Sequence, residues 1–274
     1  MNGLALCAGV GGLELGLHIA LGKNYRTICY VERETFAAST LVARMEDEAL
    51  DSAPIWDDIK TFDGLPWRGK VDILTGGYPS QPFSVAGKRS GTSDSRHLWP
   101  DFKRIIGEVQ PSIIFLENVA GHLKLGFSEV GRELLEMGYR VEVGIFSAEE
   151  GGAPHKRERM FILAMAEDSS SIGWGRGDYG DTARDNGEVQ AEGLCLSVGS
   201  RASFPPRPDE FEKWERVLEG DPSLEPALRR GSDGLAYRVD RLRASGNGVV
   251  PVCATVAFLS LVEKLREEIN EVHV

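Results

Sequence analysis

Three kinds of side chain in this sequence stand where they could do chemistry: a carboxylic acid, a pair of guanidinium groups and a hydroxyl. Glu117 ends the apolar run Phe115-Leu116-Glu117-Asn118-Val119. A carboxyl group at the carboxyl end of a buried strand stands on the edge where such sheets hold ligands, and burying it without a role is costly. A glutamate that only reaches solvent there is the plain alternative. Arg157 and Arg159 alternate in Ala153-Pro154-His155-Lys156-Arg157-Glu158-Arg159, so on an extended segment they point the same way. Surface ion pairs are the alternative for either. Ser80 lies in Gly76-Gly77-Tyr78-Pro79-Ser80-Gln81-Pro82-Phe83-Ser84, which reads as a strand running into a proline-bracketed loop. A serine hydroxyl is a poor nucleophile until a general base activates it. His155, and His97 in the run Asp94-Ser95-Arg96-His97-Leu98-Trp99, are the histidines placed to serve as that base, and no Ser-His-Asp pattern accompanies them.

A second group of residues suits a nucleoside. Leu4-Ala5-Leu6-Cys7-Ala8-Gly9-Val10-Gly11-Gly12-Leu13-Glu14 reads as a strand, a glycine turn and a helix start. Glycines let backbone approach a ligand, and the helix terminus offers unpaired N–H groups. Glu32 ends the next strand about twenty residues on, placed to accept from ribose hydroxyls. Asp57-Asp58-Ile59 precedes the third strand. An acid there could accept from an adenine amino group or cap a helix. Ser245-Gly246-Asn247-Gly248-Val249-Val250-Pro251 forms a turn near the end of the sequence, and its asparagine could equally be structural.

These residues need a frame. Short apolar runs at 4–7, 27–31, 71–75, 113–116, 139–146 and 160–164 alternate with helical patterns at 13–21, 35–44, 98–109 and 127–137. That alternation predicts an α/β fold, a parallel sheet covered by helices. The nearly continuous hydrophobicity of the strands fits burial on both faces. Residues 1–166 form the predicted catalytic, cofactor-binding domain. Residues 167–235, rich in Gly, Ser, Asp, Arg and Pro, read as a small irregular lobe. Residues 236–274 return to the first domain, ending in a helix over 252–269.

Bulk properties narrow the class. A 42% hydrophobic and 27% charged composition is that of a soluble globular protein. No apolar run approaches the roughly 20 residues of a membrane span, so a cytoplasmic protein is expected. Cys7, Cys29, Cys195 and Cys253 lack CxxC spacing, which argues against a zinc site or a disulfide framework. A net charge of −11 argues against non-specific binding to phosphate. Lys88, Arg89, Arg96, Lys156, Arg157 and Arg159 nevertheless gather in the segments that carry chemistry.

In order and spacing the motifs resemble those of the DNA (cytosine-5) methyltransferase family. The glycine turn resembles its first motif, Glu32 its ribose-binding acid and Asp58-Ile59 its adenine-contacting pair. GGYPSQPFS resembles the nucleophile loop, FLENV the catalytic glutamate motif, APHKRERMFILA the paired-arginine motif and GNGVVP the last motif. The resemblance spans everything except the lobe, which falls where the family keeps its target-recognition domain. It implies a Rossmann-like methyltransferase sheet and S-adenosylmethionine as methyl donor, with S-adenosylhomocysteine as product. Cofactor contacts would fall to Ala8, Gly9, Gly11, Gly12, Glu32, Arg33, Asp58, Ile59, Gly77, Pro79, Leu98, Asn247 and Val249, and no metal is implied. Duplex DNA would meet Gln81, Ser84, Lys88, Arg89 and Arg96, and Arg201, Arg207, Arg229 and Arg230 of the lobe. A monomer would suffice, and a cognate restriction endonuclease is a further partner the resemblance suggests.

By the same resemblance, the base is flipped out of the duplex and a thiolate adds to carbon 6 of cytosine. Carbon 5 then attacks the methyl sulfonium. Glu117 would hold ring nitrogen 3 and the amino group, Arg159 the cytosine oxygen, and Arg157 would orient the loop and Glu117. The sequence departs from the family at three positions. Cys7 stands where Phe is usual, His155 where Gln is frequent, and Ser80 where the thiolate belongs. The expectation is therefore a cytosine-5 DNA methyltransferase that is inactive or nearly so at Ser80, by an engineered substitution or by natural descent. A catalytically idle DNA-binding homologue and an RNA cytosine methyltransferase are the alternatives.

Overall fold

The computed structural model describes residues 1–78, 98–153, 155–167, 211–220 and 248–272. β1 (Asn2–Leu6), β2 (Arg26–Val31), β3 (Ile55–Trp56), β4 (Ile73–Gly77), β5 (Ile113–Val119), β6 (Tyr139–Ser147) and β7 (Glu158–Ala166) form one sheet. Its order is β3-β2-β1-β4-β5-β7-β6. The helices are α1 (Gly12–Leu21), α2 (Thr35–Glu46), α3 (Trp99–Val109), α4 (His122–Leu125), α5 (Phe127–Glu136), α6 (Phe211–Gly220) and α7 (Pro251–Val272).

The first five strands are parallel, as the apolar runs of β1, β2, β4 and β5 predict. The last two correct that expectation: β7 pairs antiparallel with both β5 and β6. Residues 148–157 link β6 to β7, and this is shorter than the dozen or so residues a parallel crossover takes. The chain therefore turns back and inserts β7 between β5 and β6. β3, only two residues long, was not legible as a strand. The helix α6 also corrects the reading of 167–235 as irregular throughout; Phe211, Trp214, Val217 and Leu218 recur in the sequence at helical spacing.

The sheet is covered on both faces. One carries Phe102, Ile105, Ile106 and Val109 of α3 with Val130 and Leu134 of α5 against Leu4, Leu74, Ile114 and Leu116. The other carries Leu13, Leu17 and Leu21 of α1 with Ala254, Phe258, Leu261 and Leu265 of α7 against Ile73, Phe115 and Phe161. The final helix thus packs back on the sheet as expected. The axes of α1 and α7 come close because Gly16 lacks a side chain: an added Cβ would lie 2.7 Å from Ala254 Cβ and from the Pro251 carbonyl. Thr255 Oγ1 donates to the Gly16 carbonyl at 2.9 Å across that contact.

Candidate functional site

The carboxyl ends of β1, β2, β4 and β5 gather the predicted groups on one edge. After β1 the backbone turns through left-handed geometry at Cys7 (φ 48°), Gly9 (φ 57°) and Gly11 (φ 78°) before α1 begins. Gly9 N–H donates to Glu32 Oε2 and Glu34 N–H to Glu32 Oε1, each at 2.7 Å. Glu32 is therefore the brace of the turn as well as an acid facing it. Burial raises its pKa, against the pull of these amides. A Cβ added at Gly9 would meet nothing within 4 Å, so open space lies beside the turn. Ala8 is half-buried and Arg33 is exposed.

Asp58 Oδ1 accepts from Lys60 N–H at 2.9 Å, so this acid closes a turn and does not cap a helix. Ile59 beneath it is buried and Asp57 is exposed. Burial and the charges of Glu32, Asp101 and Asp58 push the Cys7 thiol up to about 12.

Val249 meets this turn from the far end of the sequence. Its carbonyl lies where a Cβ on Gly12 would come within 2.5 Å. The neighbouring Gly248 carbonyl accepts from Arg157 Nη2. The segment 248–250 therefore joins the glycine turn to the arginine segment, giving the last motif a packing role that its spacing alone did not reveal. Leu98 precedes α3 and packs partly buried against the core.

Glu117 lies on β5, 7% exposed, with Oε1 2.9 Å from Arg159 Nε. Val119 pairs with Arg159 in the antiparallel register, which carries the guanidinium to the end of β5. Gly77 leaves the room that the carboxyl occupies: a Cβ there would lie 3.2 Å from Glu117 Oε2. Burial raises the Glu117 pKa to about 7, against the opposing charges of Arg159 and Arg157. Arg157 is set up differently from the expected strand alternation. It precedes β7, at φ 23°, and reaches the Gly248 carbonyl while its charge still acts on Glu117. His155 is exposed.

Two residues of this region were missed from the sequence: Tyr78 and His122, a buried hydrogen-bonded pair beside Glu117. No pattern in the sequence pairs them. Pro79, Ser80, Gln81, Ser84, Lys88, Arg89, Arg96, His97, Arg201, Arg207, Arg229, Arg230 and Asn247 lie outside the described residues. Among the described residues no cluster of His, Cys, Asp and Glu could hold a metal ion, and no helix is long and apolar enough to cross a membrane.

Comparison with known proteins agrees with this arrangement. The family of C-5 cytosine-specific DNA methylases matches residues 1–189. The Type II methyltransferase M.PspPI of Psychrobacter sp. is 36% identical over 176 residues, 60% of this chain and 39% of that protein. M.NgoMIV of Neisseria gonorrhoeae is 32% identical over 173 residues, 62% of this chain and 53% of its own length. The chain therefore spans about half or less of these relatives. A crystal structure of a DNA modification methyltransferase from an E. coli prophage superposes with a TM-score of 0.50 at 26% identity, over 61% of this chain and 47% of the other. A Spodoptera frugiperda DNMT2 mutant gives 0.52 at 20% identity, covering 65% and 53%, and shares the fold.

Proposed function

Since this chain belongs to the family of C-5 cytosine-specific DNA methylases, we propose that its site binds S-adenosylmethionine and a flipped-out cytosine of duplex DNA. The observation that carries the reading is Glu117, a buried acid held near neutral pKa against Arg159. That is the poise a group needs to give a proton to ring nitrogen 3 and take it back.

The residues present fit the cofactor. The glycine turn leaves open space beside Gly9, and Glu32 stands against that turn. When bound, the cofactor supplies an electrophilic methyl group. Asp58 and Ile59 would border the adenine, with Gly77, Leu98 and Val249 completing the walls. Pro79 and Asn247 are assigned there on sequence alone. On the base side, protonated Glu117 donates to nitrogen 3, which draws electrons from carbon 6 and opens it to attack. Arg159 holds the carboxyl group and bonds the cytosine oxygen. Arg157 fixes the arginine segment against Gly248. Gln81, Ser84, Lys88, Arg89, Arg96 and the lobe arginines would meet the DNA, and one protomer suffices.

Addition to carbon 6 needs an electron pair from position 80. A thiol of pKa about 8.5 gives one readily beside positive charge. The Ser80 hydroxyl needs a base, and the sequence carries no Ser-His-Asp pattern to supply one. This chain is therefore a methyltransferase site silenced at its attacking atom. Transfer of labelled methyl from S-adenosylmethionine to mixed-sequence duplex DNA tests the reading. Labelling by the Ser80→Cys chain, and little or none by the parent, is the expected result. Equal labelling by both would refute the silencing, and labelling of tRNA in place of DNA would refute the substrate.

A further inference from the structure

Tyr78 and His122 form a buried pair that the reaction as written does not use. Tyr78 Oη and His122 Nε2 lie 2.7 Å apart, with the residues 5% and 2% exposed. The rings meet edge to face at 5.3 Å, and Tyr78 also rests on Trp99 and Phe102 at 5.6 Å each. Gly126 makes room for the imidazole, since a Cβ there would collide with His122 Cε1. The main chain is tied as well: Asn118 Nδ2 donates to the Tyr78 carbonyl at 3.1 Å. Tyr78 is thus held at its hydroxyl by the start of α4 and at its carbonyl by the end of β5.

The location gives the pair a consequence. Asn118 follows Glu117 directly, and Gly77, just before Tyr78, lines the Glu117 carboxyl. In the sequence Ser80 follows Tyr78 by two residues. Two apolar rings would fill this volume with no buried polar group to satisfy. A hydrogen-bonded pair is directional and fixes where the exit of β4 stands against β5.

We propose that His122 is a positioning residue. Through Tyr78 it fixes the exit of β4, and with it the attacking position, relative to Glu117. The proposal rests on the reading of the site as one for methyl transfer.

The test uses the Ser80→Cys chain and adds Tyr78→Phe, His122→Leu, both together, or His122→Gln. Four quantities are measured: single-turnover methyl transfer at saturating cofactor, cofactor affinity, unfolding midpoint, and iodoacetamide alkylation of the thiol at position 80, followed by peptide mass. Misplacement by about 1 Å can cost about 100-fold in rate, so loss of this tie is expected to slow transfer about tenfold per folded molecule. The two single variants and the double should agree, cofactor affinity should stay within about twofold, and His122→Gln, which can still bond the hydroxyl, should recover most of the rate. The alkylation rate at position 80 should shift in the same variants. Tyr78→Phe removes one oxygen atom, so it gives a mild variant should His122→Leu fail to fold. Unchanged transfer and alkylation in folded variants would overturn the proposal, as would a rate loss that only tracks the folded fraction. If the Ser80→Cys chain transfers no methyl at all, the functional reading fails, and alkylation alone decides whether the pair positions the segment.

Discussion

Glu117 carries two opposed influences, burial that favours its neutral form and two guanidinium groups that favour its charge. With its pKa near 7, it holds a proton at pH 6 and has lost most of it by pH 8. In the Ser80→Cys chain, kcat/KM should therefore show a falling limb as pH rises through about 7, opposed by increasing thiolate. Glu117→Gln should remove that limb and cost about 100-fold or more in single-turnover rate. Glu14 offers a second titration, away from the reacting groups. It is buried, its Oε1 accepts from Thr75 Oγ1 at 2.7 Å, and among the described residues its Oε2 has no hydrogen-bond partner. Burial lifts its pKa from 4.5 to about 7. The native state then keeps a proton that the unfolded chain has released, so this contribution is full below about 4.5 and is lost as pH rises through 7. Its size is of order 3 kcal/mol. Urea unfolding at pH 5 and pH 8 should show the loss, and Glu14→Gln should flatten it. Glu117, Arg159 and Glu32 were legible in the sequence because each sits beside a motif that fixes its strand end. His122 was not, since its partner Tyr78 is 44 positions away and only the sheet brings them together.

Among the elements, α7 has the most to hold. It packs on α1 and on the strands β5, β6 and β7 from the far end of the sequence, and its Phe258 is fully buried, its ring at 5.3 Å from that of Phe115. Phe258→Ala should cost about 3–5 kcal/mol in chemical denaturation, the usual range for emptying such a site. A cost below 1 kcal/mol would mean that α7 is peripheral to the fold. The parallel half of the sheet could be read from its apolar runs, because strands buried on both faces carry that signature. The antiparallel edge could not, because the composition of β6 and β7 does not set their direction, which follows from the length of their connection. β3 escaped because two residues have no period to read.

At the scale of the molecule, one edge of the sheet serves two tasks. The exits of β1 and β2 are the proposed cofactor side and the ends of β4 and β5 the proposed base side, joined by the contact of Val249 with Gly12 and by the bond from Arg157 to the Gly248 carbonyl. The distant origin of the 248–250 segment is why its role needed the folded chain, although its motif was visible. The central claim is that the site retains all of its chemistry except a sulfur atom at position 80. Duplex DNA in which 5-fluorocytosine replaces cytosine tests it most directly, because fluorine cannot leave as a proton and the covalent adduct persists. The Ser80→Cys chain, incubated with S-adenosylmethionine and this DNA, should give a denaturation-resistant complex whose cross-linked peptide maps to position 80. The parent chain should give none. A Ser80→Cys chain that binds cofactor and DNA yet forms no adduct, or forms it at another residue, would contradict the account.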